Sequence, residues 1–91
     1  MKYALIGCGR ISPNHIAAAM KNHLEFVALC DIVPENIEDK VLKFELKNVH
    51  QYTDYKEMLE IEKPELVAIA TESGKHAQIA LAVSYTHLTL P

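Results

Sequence analysis

Tryptophan is absent, cysteine occurs twice and glycine only three times in the 91 residues of this chain. Each scarcity excludes something. Two cysteines are too few for a secreted disulfide scaffold of this size, which usually carries roughly four or more. Cys8 and Cys30 both lie in apolar surroundings and read as buried, reduced thiols of a cytoplasmic protein. Neither a CxxC pair nor a Cys/His cluster suggests a metal. Basic residues are outnumbered, nine Lys and Arg against twelve Asp and Glu, for a formal net charge of −3. They are interspersed with the acids, so no basic stripe exists for nucleic acid or for an anionic membrane surface. No apolar run approaches the length of a membrane span. The opening MKYALIGCGR is too short in its apolar run for a signal peptide. No repeat, low-complexity segment or linker divides the chain, which has room for one small domain.

What is present is an alternation. Tyr3 to Ile6, Phe26 to Cys30 and Leu66 to Ala70 are short, continuous apolar runs, and Val49 to Tyr52 is a shorter one. Continuous runs of this kind suit strands buried on both faces of a parallel sheet. Between them lie helix patterns. Ile11 to Lys21 carries an apolar stripe through Ile16, Ala17, Ala19 and Met20, with Ser12 as the expected cap and Pro13 in the first turn. Pro34 opens PENIEDKVLKFE, whose early acids suit a helix N-terminus. Asp54 to Glu60 begins with Asp54 and Glu57 spaced as a capping box. Thr71 to Lys75 is a loop, and His76 to Val83 starts a fourth helix. The order predicts an α/β fold: a doubly wound, Rossmann-like parallel sheet of about four strands in the order 3-2-1-4, incomplete, with helices on both faces.

Two of the three glycines fall in one stretch, Gly7-Cys8-Gly9-Arg10-Ile11-Ser12, between the first strand and the first helix. In that context a glycine pattern has a mechanism. Gly7 permits the tight turn, Gly9 lets a pyrophosphate approach the backbone, and the helix N-terminus favours the phosphate charge. The last position is Ser12 rather than glycine, which still allows close packing of helix on strand. Asp31 ends the second strand 19 residues after Ser12. A dinucleotide site expects an acid ~20 residues on, bonded to the adenosine ribose. An acid there repels a 2′-phosphate, and no Arg or Lys follows in Asp31-Ile32-Val33-Pro34, so NAD is favoured over NADP. A methyltransferase-like nucleotide-binding domain also uses a glycine-rich first loop and an acid after its second strand, and stays open as an alternative.

The stretches KYALIGCGRISPNHIAAAM, FVALCDIVPENIE and YTDYKEMLEIEKPELVAIATESGKHAQIAL resemble the N-terminal domain of the glucose–fructose oxidoreductase and inositol dehydrogenase (Gfo/Idh/MocA) family. Within it the chain looks most like bacterial dehydrogenases of nucleotide-linked amino-sugar uronates. The resemblance covers residues 2 to about 82. It implies hydride transfer between NAD and a sugar or nucleotide-sugar carbon, in a full-length protein that is a homo-oligomer. It places Gly7, Gly9, Arg10 and Ile11 around the pyrophosphate, Asp31 at the ribose, and Thr71, Ser73 and His76 near the nicotinamide. Glu72 stands where family members commonly carry proline. The family's catalytic lysine belongs to a Glu-Lys-Pro motif after a fifth strand, and it is expected to be absent here together with the sugar-binding second domain. The chain by itself is then the inactive cofactor-binding half of a sugar dehydrogenase, expected to bind the cofactor poorly if at all, with no catalytic residue of its own. A non-enzymatic regulator of the same fold is the other alternative.

The remaining candidates have plainer readings. His15, near the glycine turn, is either in contact with the pocket or satisfied locally. His23 and His50 read as solvated, Lys75 as an exposed lysine, and Tyr52, Tyr55 and Met58 as packing. The last nine residues, VSYTHLTLP, do not continue the family pattern. They coincide with one translated frame of the transposon mosaic-end adapter of sequencing libraries, so residues 83–91 are expected to be a non-native tail. Without a fifth strand, Leu66 to Ala70 is expected at a bare sheet edge, along which Tyr85 to Thr89 has the propensity to pair.

Overall fold

The computed structural model describes residues 1–9, 12–71, 79 and 88–90. The elements are β1 (Lys2–Ile6), α1 (Ser12–Lys21), β2 (Glu25–Cys30), α2 (Pro34–Lys43), β3 (His50–Tyr52), α3 (Tyr55–Glu62), β4 (Leu66–Ile69) and β5 (Leu88–Leu90). All strand pairs are parallel, in the order β3-β2-β1-β4-β5. The expected order 3-2-1-4 is there, extended by one strand. β4 is not at the edge, because Leu66, Val67 and Ala68 pair with Leu88, Thr89 and Leu90.

The apolar runs are continuous because the sheet is covered on both faces. Alternate β1 residues go to opposite sides. Tyr3 and Leu5 join Ile16 and Ala19 of α1, Ile37 of α2 and Leu29 on one side. Ala4 and Ile6 join Met58 of α3, Ala28, Val67, Ile69 and Ile79 on the other. Leu5, Ile16, Leu29, Val67 and Met58 have no exposed surface at all. Each such side chain contributes roughly 1.5–3 kcal/mol over its exposed state. Tyr3 also meets Phe26 edge-on, with ring centroids 4.9 Å apart.

Helix ends follow local chemistry, with two departures from expectation. Ser12 is not a cap. It is the first helical residue, fully buried, and its hydroxyl donates back to the Gly9 carbonyl at 2.7 Å. A glycine would leave that carbonyl without this bond. Asp54 does cap α3, but it accepts from the Lys56 N–H at 2.9 Å rather than from Glu57. α3 runs two residues beyond the expected Glu60, to Glu62, and stops at Lys63 in the left-handed conformation (φ 47°) just before Pro64. The fourth helix lies outside the described residues except Ile79, which is buried.

Registers level the strand ends. Ile6 pairs with both Cys30 and Ile69. Gly7, Asp31 and the Ala70-Thr71 step therefore leave three adjacent strands at the same height, on the carboxyl edge of the sheet.

Candidate nucleotide-binding site

Gly7 leaves β1 with φ 101°, a backbone conformation open to glycine and costly to other residues. Its N–H donates to the Cys30 carbonyl at 2.7 Å, and the Ala70 N–H donates to Ile6 at 2.7 Å. The end of β4 is so close that a Cβ on Gly7 would sit 2.7 Å from the Ala70 carbonyl carbon and oxygen and 2.9 Å from the Thr71 nitrogen. Gly7 is thus required twice over by the protein's own backbone.

Gly9 is different. Its φ is not in the left-handed region, and a Cβ there would meet nothing within 4 Å. Nothing among the described residues explains a glycine at that point. The open space lies beside the turn, on the edge where open α/β sheets bind ligands.

Asp31 reaches across from β2. One carboxylate oxygen accepts from the Cys8 N–H at 2.7 Å, and the other accepts from the Val33 N–H at 2.8 Å. The first bond ties the acid to the glycine turn. The second folds an Asx turn that leads into α2, whose Val33 cap position has no side-chain bond of its own. Two backbone donors fix the carboxylate plane and leave its outer lone pairs available. Asp31 also donates its own N–H to the Tyr52 carbonyl at 3.0 Å.

Thr71 adds a hydroxyl. Its Oγ1 is buried and has no hydrogen-bond partner among the described residues. Buried hydroxyls of that kind are uncommon, and at a ligand edge they mark a group waiting for a partner. The two thiols contribute no nucleophile. Burial, with the Asp31 charge as a second cause, pushes Cys8 and Cys30 up to about 12, so both stay protonated at neutral pH.

Gly7, Gly9, Asp31 and Thr71 are thus brought together at one edge. Arg10, Ile11, Ser73 and His76 lie outside the described residues. His15 meets β1 only through its backbone, its carbonyl accepting from the Tyr3 hydroxyl at 3.5 Å. Three participants escaped sequence reasoning: the Cys8 amide, the Tyr52 carbonyl and the Ala70 backbone. All act through main-chain atoms, which leave no residue-type signal. A Glu-Lys-Pro tripeptide lies elsewhere than the place expected of the family's motif. It is Glu62-Lys63-Pro64. It ends α3, one residue before Glu65, whose N–H donates to the Lys2 carbonyl at the start of β1. That is the amino edge of the sheet, opposite the glycine turn, and ahead of β4 rather than after a fifth strand.

Comparisons with known proteins agree with this geometry. Residues 1–87 match the family described as "Oxidoreductase family, NAD-binding Rossmann fold". The chain is 37% identical over 79 residues to D-apiose dehydrogenase from Paraburkholderia graminis, covering 86% of this chain and 20% of that protein. It is 29% identical over 84 residues to inositol 2-dehydrogenase from Salmonella typhimurium, covering 90% of this chain and 25% of that protein. Among solved structures it is similar to the WlbA dehydrogenase from Chromobacterium violaceum, determined with NADH and UDP-GlcNAcA. There the TM-score is 0.84 at 28% identity, over 98% of this chain and 26% of the other. The chain thus spans a fifth to about a quarter of the length of these proteins. The match to an NAD-binding family decides against the methyltransferase alternative.

Proposed function

Because the chain belongs to the oxidoreductase family with an NAD-binding Rossmann fold, we propose that it is the cofactor-holding part of an NAD-dependent dehydrogenase acting on a sugar or nucleotide-sugar hydroxyl. The observation that carries this reading is the contrast between the two glycines. Gly7 is demanded by the fold, whereas Gly9 has open space where its side chain would be. A glycine that the fold does not need is explained by a group approaching from outside, and a dinucleotide pyrophosphate at the first βα turn is such a group.

The residues divide the work as follows. Gly9 keeps the approach to the turn clear for the pyrophosphate. The Ser12 amide is spent on the Gly9 carbonyl and Pro13 has none, so neither is available to the phosphates. Asp31, already oriented by Cys8 and Val33, accepts from the ribose hydroxyls and repels a 2′-phosphate. Thr71 offers to the ligand, across the carboxyl edge, a hydroxyl that has no partner among the described residues. Arg10, Ile11, Ser73 and His76 enter on the family resemblance alone. When bound, NAD supplies the hydride acceptor or donor. The sugar, the base for its hydroxyl proton and the catalytic Glu-Lys-Pro lysine are assigned to segments other than residues 1–82, since Lys63 is on the wrong edge. Relatives described as dehydrogenases of D-apiose and inositol, and a similar structure in complex with UDP-GlcNAcA, support a polyhydroxylated substrate.

Substituting Gly9 by valine tests this directly. The variant should unfold in urea at the wild-type midpoint, because its side chain enters open space. Its NAD affinity by calorimetry should fall by at least about tenfold, the equivalent of about 1.4 kcal/mol. Unchanged NAD affinity in a folded Gly9→Val chain would remove the main support for the site.

A further inference from the structure

Asp31 is held from a third side, and that hold leads to a residue outside the site. The Asp31 N–H donates to the Tyr52 carbonyl at 3.0 Å, at the end of β3. β3 is three residues long, lies at the edge of the sheet and pairs with β2 alone. Short edge strands are the parts of a sheet that open at least cost. Here the strand is tied down. His50 and Tyr52 are two residues apart and so face the same side, and both side chains end on one oxygen. Glu62 Oε2 accepts from the Tyr52 hydroxyl and lies 2.6 Å from His50 Nδ1. The Glu62 side chain is 11% exposed, whereas that of His50 is 68% exposed. Glu62 is the last residue of α3, followed by the left-handed Lys63 and by buried Pro64, so its backbone cannot drift. The other charges facing the cluster are Glu57, toward Tyr52, and Lys2, toward Glu62.

We propose that Glu62 is a positioning residue for the nucleotide site. It clamps β3 through Tyr52 and His50, which fixes the Tyr52 carbonyl and, through it, the Asp31 backbone that aims the carboxylate. This rests on the reading of Asp31 as the ribose acceptor. Among the described residues Glu62 makes no hydrogen bond to Gly7, Gly9, Asp31 or Thr71, and it acts on the site through β3. Its place in a Glu-Lys-Pro tripeptide on the amino edge thereby has a use unrelated to catalysis.

The test compares Glu62→Gln and Tyr52→Phe with Leu24→Ala. Leu24 is a partly buried residue packed against the core next to the start of β2, at the opposite end of that strand from Asp31, and its truncation serves as a control for lost stability. Amide exchange of Asp31 is measured relative to that of Leu29, which lies inside β2 and reports global opening. The Asp31/Leu29 ratio should rise by about three- to tenfold in Glu62→Gln and in Tyr52→Phe, and stay put in Leu24→Ala. NAD affinity should weaken by a similar factor in the first two and by less than about twofold in the control. The double variant should be no worse than Glu62→Gln alone, since both changes cut one path. An unchanged exchange ratio overturns the proposal, and so does a raised ratio with NAD affinity intact. If the wild-type chain fails to bind NAD, the ribose reading falls, and the exchange ratio still decides whether Glu62 holds Asp31.

Discussion

Replacing Asp31 by alanine should destabilise the chain before any ligand is considered. The carboxylate is usually assigned to the cofactor, so loss of binding alone would be the ordinary expectation. The geometry says more. The Cys8 N–H, half-buried in the turn, would lose its 2.7 Å acceptor, and a buried donor left unpaired costs about 1–3 kcal/mol. The exposed Val33 N–H would lose its 2.8 Å acceptor. Water replaces that bond, so the loss is about that of a helix cap, 0.5–2 kcal/mol. Together the change should be about 1.5–5 kcal/mol. For a domain of this size that lowers the melting temperature by at least about 6 °C. Asp31→Asn keeps one acceptor oxygen and should lose about half as much. Asp39→Ala is the control. Asp39 is an exposed acid whose partner is its neighbour Lys40 at 2.9 Å, and its loss should leave the melting curve unchanged. Urea and thermal melts of the four chains decide the matter. An Asp31→Ala chain within about 0.5 kcal/mol of wild type would show that the two backbone bonds carry no weight and that Asp31 serves the ligand alone.

Gly7→Ala should cost more than about 3 kcal/mol, since a positive φ and a backbone clash are combined; a folded Gly7→Ala chain of near wild-type stability would contradict the close approach of β4. The two thiols should react slowly with a disulfide reagent at pH 8 and at once when unfolded, because burial holds both up to about 12; fast labelling of the native chain would refute this. Glu62 should supply part of the acid limb of stability. Burial raises its carboxyl, but the Tyr52 and His50 bonds and the nearby His50 and Lys2 charges outweigh it, leaving it below the usual 4.5. A folded-state value below the unfolded one means stability that is present above about pH 4.5 and lost as pH falls through the folded value. Glu62→Gln should therefore flatten the stability curve below about pH 4.5; parallel curves there would be the contrary result.

The fold was legible because burial on both faces of a parallel sheet writes itself as uninterrupted apolar runs. YALI, FVALC and LVAIA are each bounded by glycine, an acid or a polar loop, and their spacing leaves room for little but crossover helices. Gly7, Gly9 and Asp31 were legible for a related reason, since their roles depend on residue type at a fixed point of that pattern. The partners were not. Asp31 acts on Cys8 and is held by Tyr52 through main-chain atoms, and any residue could stand at either position as far as those bonds go. Ser12 occupies the cap position of a familiar pattern, yet its hydroxyl turns back to Gly9, because the Ser12 side chain is itself fully buried away from solvent. The Glu62 cluster joins residues ten and twelve apart on a strand and a helix, a pairing that periodicity does not announce. The tail is legible only as a string. Leu88–Leu90 pairs with β4, which follows from the strand propensity of LTL and the open edge beside it. The family match itself extends to residue 87.

The most direct measurement is calorimetric titration of the 91-residue chain with NAD and, separately, with NADP. NAD should bind, and bind more tightly than NADP by at least about tenfold, because the carboxylate of Asp31 is locked by two backbone donors and cannot swing aside for a 2′-phosphate. Equal affinities, or tighter binding of NADP, would mean that Asp31 does not face the ribose and that the site has been placed wrongly.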